Sequence, residues 1–153
     1  MNIRRLAASE LPPMELLLDA DPSREMVDSY LRKGETFVAE VDNQIIGVYV
    51  LMEKQEDSTE IMNIAVANEK QGQGIGRKLI QHAIDYTRNN GFAKLQIGTG
   101  NSSIGQLALY QKCGFRIVGI DFDFFLRNYP EPIIENGISC RDMIRMEIIL
   151  QED

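Results

Sequence analysis

Hydrophobic and polar positions along this chain change period several times, and each change marks an element. Residues near 2–7 read as a first strand, followed by helical stretches at roughly 9–18 and 22–33. Asp19-Ala20-Asp21-Pro22 separates the two, and aspartate before proline is a helix-start signal. Thr36 to Val41 and Ile45 to Met52 are β-rich runs joined by Asp42-Asn43-Gln44, a short hairpin connection. The polar stretch Glu53 to Ser58 makes a second turn, and Thr59 to Val66 a third strand of this antiparallel set.

The period then lengthens. Ile75, Leu79, Ile80, Ala83, Ile84 and Thr87 form a helical stripe, with Arg77, Lys78, Gln81, Asp85 and Arg88 on the opposite side and Asn90-Gly91 as the stop. Lys94 to Thr99 predicts a strand, and Ser103 to Cys113 a second long helix ended by Gly114. Val118, Ile120, Phe122, Phe124 and Leu126 alternate strictly with Gly119, Asp121, Asp123, Phe125 and Arg127, predicting one long strand. Ile144, Met146, Ile148 and Leu150 predict the last. The order β-α-α-β-β-β-α-β-α-β-β implies an α/β (α+β) fold: a mixed, mostly antiparallel sheet of about seven strands with helices on both faces.

Composition narrows the function classes. A length of 153 residues without repeats or linker-like stretches implies a single domain over 1–153, and 44% hydrophobic content supplies one sizeable core. The net charge of −7 argues against nucleic-acid or anionic-membrane partners, which require a basic surface. No apolar run reaches the length of a membrane span. Cys113 and Cys140 lack metal-ligand spacing, and His82 is the only histidine, so no metal is expected. Met1-Asn2-Ile3-Arg4-Arg5 begins like a strand rather than a targeting segment, which implies a cytoplasmic setting with ordinary thiols.

The turn after the third antiparallel strand carries the most chemistry. Asn68-Glu69-Lys70-Gln71 leads into Gly72-Gln73-Gly74-Ile75-Gly76-Arg77-Lys78 at a helix start. First-turn N–H groups have no intrahelical partner, the helix dipole is positive there, and glycine lets an anion approach the backbone. A Walker A loop needs G-x-x-x-x-G-K-[ST], but Arg77 and Leu79 stand where that motif would put other residues. A dinucleotide fingerprint needs G-x-G-x-x-G, whereas these glycines run Gly72, Gly74, Gly76.

Q-x-x-G-x-G from Gln71, preceded by Ile64-Ala65-Val66, resembles the acyl-CoA site of the GNAT superfamily of N-acyltransferases. Leu109-Tyr110-Gln111-Lys112-Cys113-Gly114-Phe115 resembles that family's second signature, roughly 40 residues downstream. The resemblance covers about 59–115 in residues and the whole chain in element order. It implies a GNAT-like fold and acetyl transfer from acetyl-CoA to an amine. Backbone groups of Ile64, Ala65 and Val66 would pair with pantetheine, while Gln71, Gly72, Gln73, Gly74, Ile75, Gly76 and Arg77 receive the pyrophosphate. Tyr110 would protonate the departing thiolate, and Glu60 is a candidate base, since an alkylamine is protonated at neutral pH. Alternation puts Glu60 beside Met62, Ile64 and Val66, with Asn63 on the opposite face, and an acid bordering that apolar face is expected to have a raised pKa. The family commonly carries asparagine seven residues before the tyrosine, where Ser103 stands, so Asn101 or Ser103 is expected to bond the pantetheine.

Asp121, Asp123, Glu131 and Glu135 face Arg127 in a segment rich in aromatics, which suits the rim of a cleft for a small-molecule amine. A solvated turn, or a homodimer contact through the exposed aromatics, reads the same residues differently. The remaining alternatives are a protein or peptide N-acetyltransferase and a non-catalytic acyl-CoA-binding module. His82 is expected at the surface, and Cys113 as a packing residue rather than a nucleophile.

Overall fold

The computed structural model describes residues 1–55 and 57–150, so Glu56, inside the second expected turn, lies outside the described residues. Seven strands form the main sheet in the order β1-β2-β3-β4-β5-β9-β6. They are β1 (Asn2–Arg5), β2 (Glu35–Val41), β3 (Gln44–Glu53), β4 (Ser58–Val66), β5 (Lys94–Gly100), β6 (Arg116–Asp121) and β9 (Met143–Ile149). Among the described residues only β4 and β5 run parallel. The helices are α1 (Met14–Ala20), α2 (Arg24–Lys33), α3 (Ile75–Asn89), α4 (Ile104–Lys112) and α5 (Phe124–Asn128), and β7 (Ile134–Glu135) and β8 (Ile138–Ser139) form a separate hairpin.

Two apolar clusters sandwich the sheet. Leu79, Ile80 and Ala83 of α3 pack with Phe37, Tyr49, Leu51, Ile61, Leu95 and Met146 on one face. Leu17 of α1 and Val27 and Tyr30 of α2 cover Val38, Val48 and Val50 on the other. The α3 stripe is buried along its whole length, as the helical period requires. The β2–β3 turn is Asp42-Asn43, both with positive φ (51° and 65°), matching the strand twist as a two-residue type I′ hairpin does. The first helix begins later than its sequence suggests, at Met14, after the proline pair Pro12-Pro13.

Two expectations fail for tertiary reasons. The long strand over 118–127 ends at Asp121. Asp123 adopts a left-handed φ of 62°, its N–H donates to the Asp142 carboxylate at 2.9 Å, and Arg127 folds back onto Asp121 at 2.8 Å, so the chain turns into α5. On β4, the pairing with β3 passes from Leu51↔Ile61 to Val50↔Asn63, leaving Met62 as an extra residue. That bulge reverses the phase of alternation. Ile64 and Val66 join the α3-side cluster, while Asn63 packs toward α1 and α2 on the same side as Ala65. Glu60 thus shares its face with Asn63 and not with Ile64 and Val66.

Candidate active site

The site begins where the sheet splits. β4 and β5 pair in register only from Ser58↔Lys94 to Ile61↔Ile97, yet both strands continue. Beyond that point, among the described residues, the β5-facing edge of β4 at Ile64 to Val66 has no strand partner, and Val66 O accepts from the Gln71 side chain. A cavity of about 920 Å³ runs along it, lined by these residues, by Gln71, Gly72, Gly74, Ile75, Gly76 and Arg77, and by Ala108 and Leu109 of α4. Gln73 does not line it.

Local chemistry shapes the loop. Gly72 and Gly74 have φ of 80° and 82°, a backbone that side-chain-bearing residues rarely adopt, and a Cβ at either would project into open space. Gly74 is the N-cap of α3 and offers no side-chain acceptor, which leaves the first-turn N–H groups available to a ligand. Gln71 fastens the loop by donating to Val66 O at 3.1 Å and Asn68 Oδ1 at 3.2 Å. Lys70, Arg77 and Lys112 bring three cations to the walls of this cleft on an otherwise acidic chain. Lys70 and Lys112 were not singled out from sequence; their places became visible only when α4 packed beside the loop.

A second cavity, of about 600 Å³, opens on the other side of the split. Asp19, Ala20, Ile64, Gln106 and Tyr110 line both, so the two spaces meet at Ile64 and Tyr110. Tyr110 is 4% exposed, and burial pushes its phenol above the ordinary tyrosine range, keeping the proton on oxygen. Its hydroxyl has no hydrogen-bond partner among the described residues. Glu60 lines the second cavity with its side chain 14% exposed, and Arg145 Nη1 lies 3.9 Å from its carboxylate. The unpaired acid against an apolar face that alternation suggested is instead an acid facing a guanidinium.

Asn63 ties this region to the N-terminal helices. Its Nδ2 donates to Leu17 O at 2.9 Å and to Tyr30 Oη at 2.7 Å. Tyr30 and Tyr129 in turn donate to the two oxygens of Asp21 at 3.0 and 2.8 Å, closing the cavity wall across 108 residues of sequence. The acids of 121–136 are largely paired: Asp121 with Arg127, Asp123 with Arg141, and Glu135 with the Ser103 hydroxyl. The segment is therefore less of an open acidic rim than its composition suggested.

Several expectations need correcting. Asn101 and Ser103 both lie outside the glycine-loop cleft. Asn101 Oδ1 accepts from the N–H groups of Arg141 and Asp142 at 2.8 and 2.9 Å, and its Nδ2 donates to Ser139 O at 3.1 Å, so this side chain secures the chain before β9. Ser103 lines the second cavity and is bonded to Glu135 at 2.9 Å. His82 is half-buried rather than at the surface, with Nδ1 2.7 Å from Tyr49 Oη and a pKa lowered by burial. Cys113, by contrast, agrees with its expected packing role: it lies against the α3-side cluster, and burial pushes its thiol up, which disfavours the nucleophilic thiolate.

Comparison with known proteins gives the site its setting. The sequence model of the Acetyltransferase (GNAT) family matches residues 3–115. An N-acetyltransferase of Bacillus subtilis, YvbK, is 52% identical over 136 residues, covering 89% of this chain and 88% of that protein. Among solved structures, an IAA acetyltransferase from Bacillus cereus is 54% identical with a TM-score of 0.94, covering 97% of this chain and 99% of that one. A GNAT family acetyltransferase from Elizabethkingia anophelis, solved with acetyl-CoA bound, is 52% identical with a TM-score of 0.96 and 97% coverage of both chains. The cleft suits such a donor: free helix N-terminal amides, cations at its walls and an unpaired strand edge leading to the split. The chain belongs to the GNAT family of acetyltransferases and is an acetyl-CoA-dependent N-acetyltransferase.

Proposed function

We propose that the acceptor is a primary amine of a small molecule, acetylated by direct attack in a ternary complex with Glu60 as base and Tyr110 as acid. The observation that carries this reading is the junction of the two cavities at Ile64 and Tyr110, with Glu60 lining the acceptor side. Acetyl-CoA supplies an activated acetyl thioester. The amides of Gln71 to Gly76, with Arg77, Lys70 and Lys112 nearby, hold its pyrophosphate, and the free edge of Ile64 to Val66 pairs with the pantetheine arm. Glu60 removes a proton from the ammonium form of the acceptor, directly or through water, because only the neutral amine is nucleophilic. As the C–N bond forms and the C–S bond breaks, Tyr110, protonated and without another partner, donates to the departing thiolate, and the proton that the acylated nitrogen sheds restores the phenol.

The second cavity favours a small acceptor. Its walls join carboxylates (Asp19, Asp21, Glu60) to aromatic rings (Phe124, Phe125, Tyr129) around a space of about 600 Å³. The deciding experiment is a panel of aliphatic, aromatic and polyamine acceptors, together with peptides bearing free N-termini, assayed by thiol release. Small amines are expected to be turned over in preference to the peptides. Turnover confined to peptide N-termini would overturn the small-molecule reading, and thiol release indifferent to every acceptor would overturn transfer to an amine.

A further inference from the structure

We infer that β6 is the seam of a two-fold dimer, in which the β6 strands of two copies of this chain pair antiparallel and join two seven-stranded sheets edge to edge. This is independent of the proposed acceptor. β6 is an outermost strand, and one of its edges is taken by β9. Among the described residues no backbone hydrogen bond reaches its other edge.

An open edge is an invitation to pair with another chain, and proteins usually blunt it with charge. The opposite end of the sheet does so: β1 has only four residues, and its Arg4 and Arg5 are held in ion pairs with Glu10, Glu40 and Glu35. β6 presents Ile117, Val118 and Ile120 at 51%, 55% and 48% exposure, and Phe122 just beyond it is 67% exposed. Apolar side chains left this open along a free edge mark an interaction surface.

The occupant is identified by the strand's self-complementarity, which an isologous two-fold contact requires. Antiparallel pairing of β6 about its own centre sets Arg116 opposite Asp121 of the second copy, Ile117 opposite Ile120, and Val118 opposite Gly119. The Arg116–Asp121 and Ile117–Ile120 pairings agree with the side-chain faces. Arg116, Gly119 and Asp121 lie across from Glu147, Arg145 and Met143 of β9, whereas Ile117 and Ile120 lie across from Met146 and Ile144 on the other face. Val118 sits at the irregularity in the β6–β9 ladder and meets Gly119, where a Cβ would find nothing within 4 Å. Arg116 has no ion pair among the described residues, and the contact brings it to Asp121 of the second copy, a carboxylate shared with Arg127 and Arg145 of that copy.

Sedimentation equilibrium tests the inference. The wild-type chain is expected at twice its 17.3 kDa mass. Arg116→Glu, which sets two acids opposite each other twice per dimer, and Ile117→Glu are each expected to raise the dimer Kd by about tenfold or more while circular dichroism stays native. Mixing Arg116→Glu with Asp121→Lys is expected to restore a dimer, since both cross-strand pairs are then of opposite charge. Amide exchange within 116–121 of the unmodified chain, slower at high than at low protein concentration, reports the same contact without any substitution. A wild-type monomer, an assembly whose mass both glutamate variants leave unchanged, or concentration-independent exchange in 116–121 overturns it.

Discussion

At the scale of single residues, the site depends on a few side chains whose neighbours decide what they do. Tyr110 is buried and protonated, and it is placed where the two cavities meet. If its hydroxyl assists the departing thiolate, Tyr110→Phe lowers kcat by about 10²-fold and leaves the KM for acetyl-CoA within about twofold, measured by steady-state thiol release. An unchanged kcat would remove the assignment. Asn101 shows the converse. As a glycine-flanked polar residue near the family signature it suggests a ligand contact, yet three hydrogen bonds commit both ends of its amide to the chain before β9. Nothing in its local sequence announces those partners, which lie some 40 residues away.

At the scale of elements, the junction of β4, the glycine loop and α3 converts sequence directly into an anion cradle. The left-handed φ of Gly74 is tolerated cheaply only by glycine, and its position as N-cap leaves the α3 amides unblocked. A valine there would strain the cap and project its side chain into the cleft. Gly74→Val is expected to weaken acetyl-CoA binding by at least about 100-fold in calorimetry while circular dichroism shows a folded protein, because a Cβ at this position meets no protein atom within 4 Å. Unaltered affinity would dissociate the loop from the donor. The β6–α5 segment behaves differently: its alternation persists through Phe124 and Leu126, but the Asp142 and Arg127 contacts bend the chain after Asp121. Period-two patterning specifies which face a residue prefers; it does not supply the strand partner that would keep the chain extended.

At the scale of the whole molecule, the sheet splits and packs tyrosines into both of its faces. All five tyrosines have phenols raised above their ordinary value, with burial the leading cause at each. The fold therefore favours the neutral phenols. Since the folded pKa values lie above the unfolded value near 10, this contribution to stability is complete below about pH 10 and is lost as pH rises past it. Melting temperature is expected to fall with pH above about 10, and ultraviolet difference titration of the folded protein should show the tyrosines ionising above their ordinary midpoint near 10. A native-state midpoint there for all five would contradict the packing described. Among the described residues no helix is long and apolar enough to cross a membrane, and no group of His, Cys, Asp and Glu is arranged to hold a metal ion.

The sequence by itself determined the order of the elements as far as β6, the α3 stripe, the glycine loop and the family signatures, because each depends on periodicity or backbone conformation within a dozen or so neighbouring residues. It located the glycine-loop cleft, the proposed donor site, for the same reason: a helix N-terminus and its glycines are contiguous in the chain. Only the tertiary structure decided the divergence of β4 from β5 after Ile61 and Ile97, the phase reversal at Met62, and the pairing of Glu60 with Arg145. Each of these joins segments far apart in sequence, or inserts one residue into a ladder whose partner strand no local pattern reveals. The second cavity is such a product throughout, with walls from α1, α2, β4, β5, α5 and the loop beyond it. The proposed donor site was legible because it is local, whereas the proposed acceptor site came into view only where distant segments met.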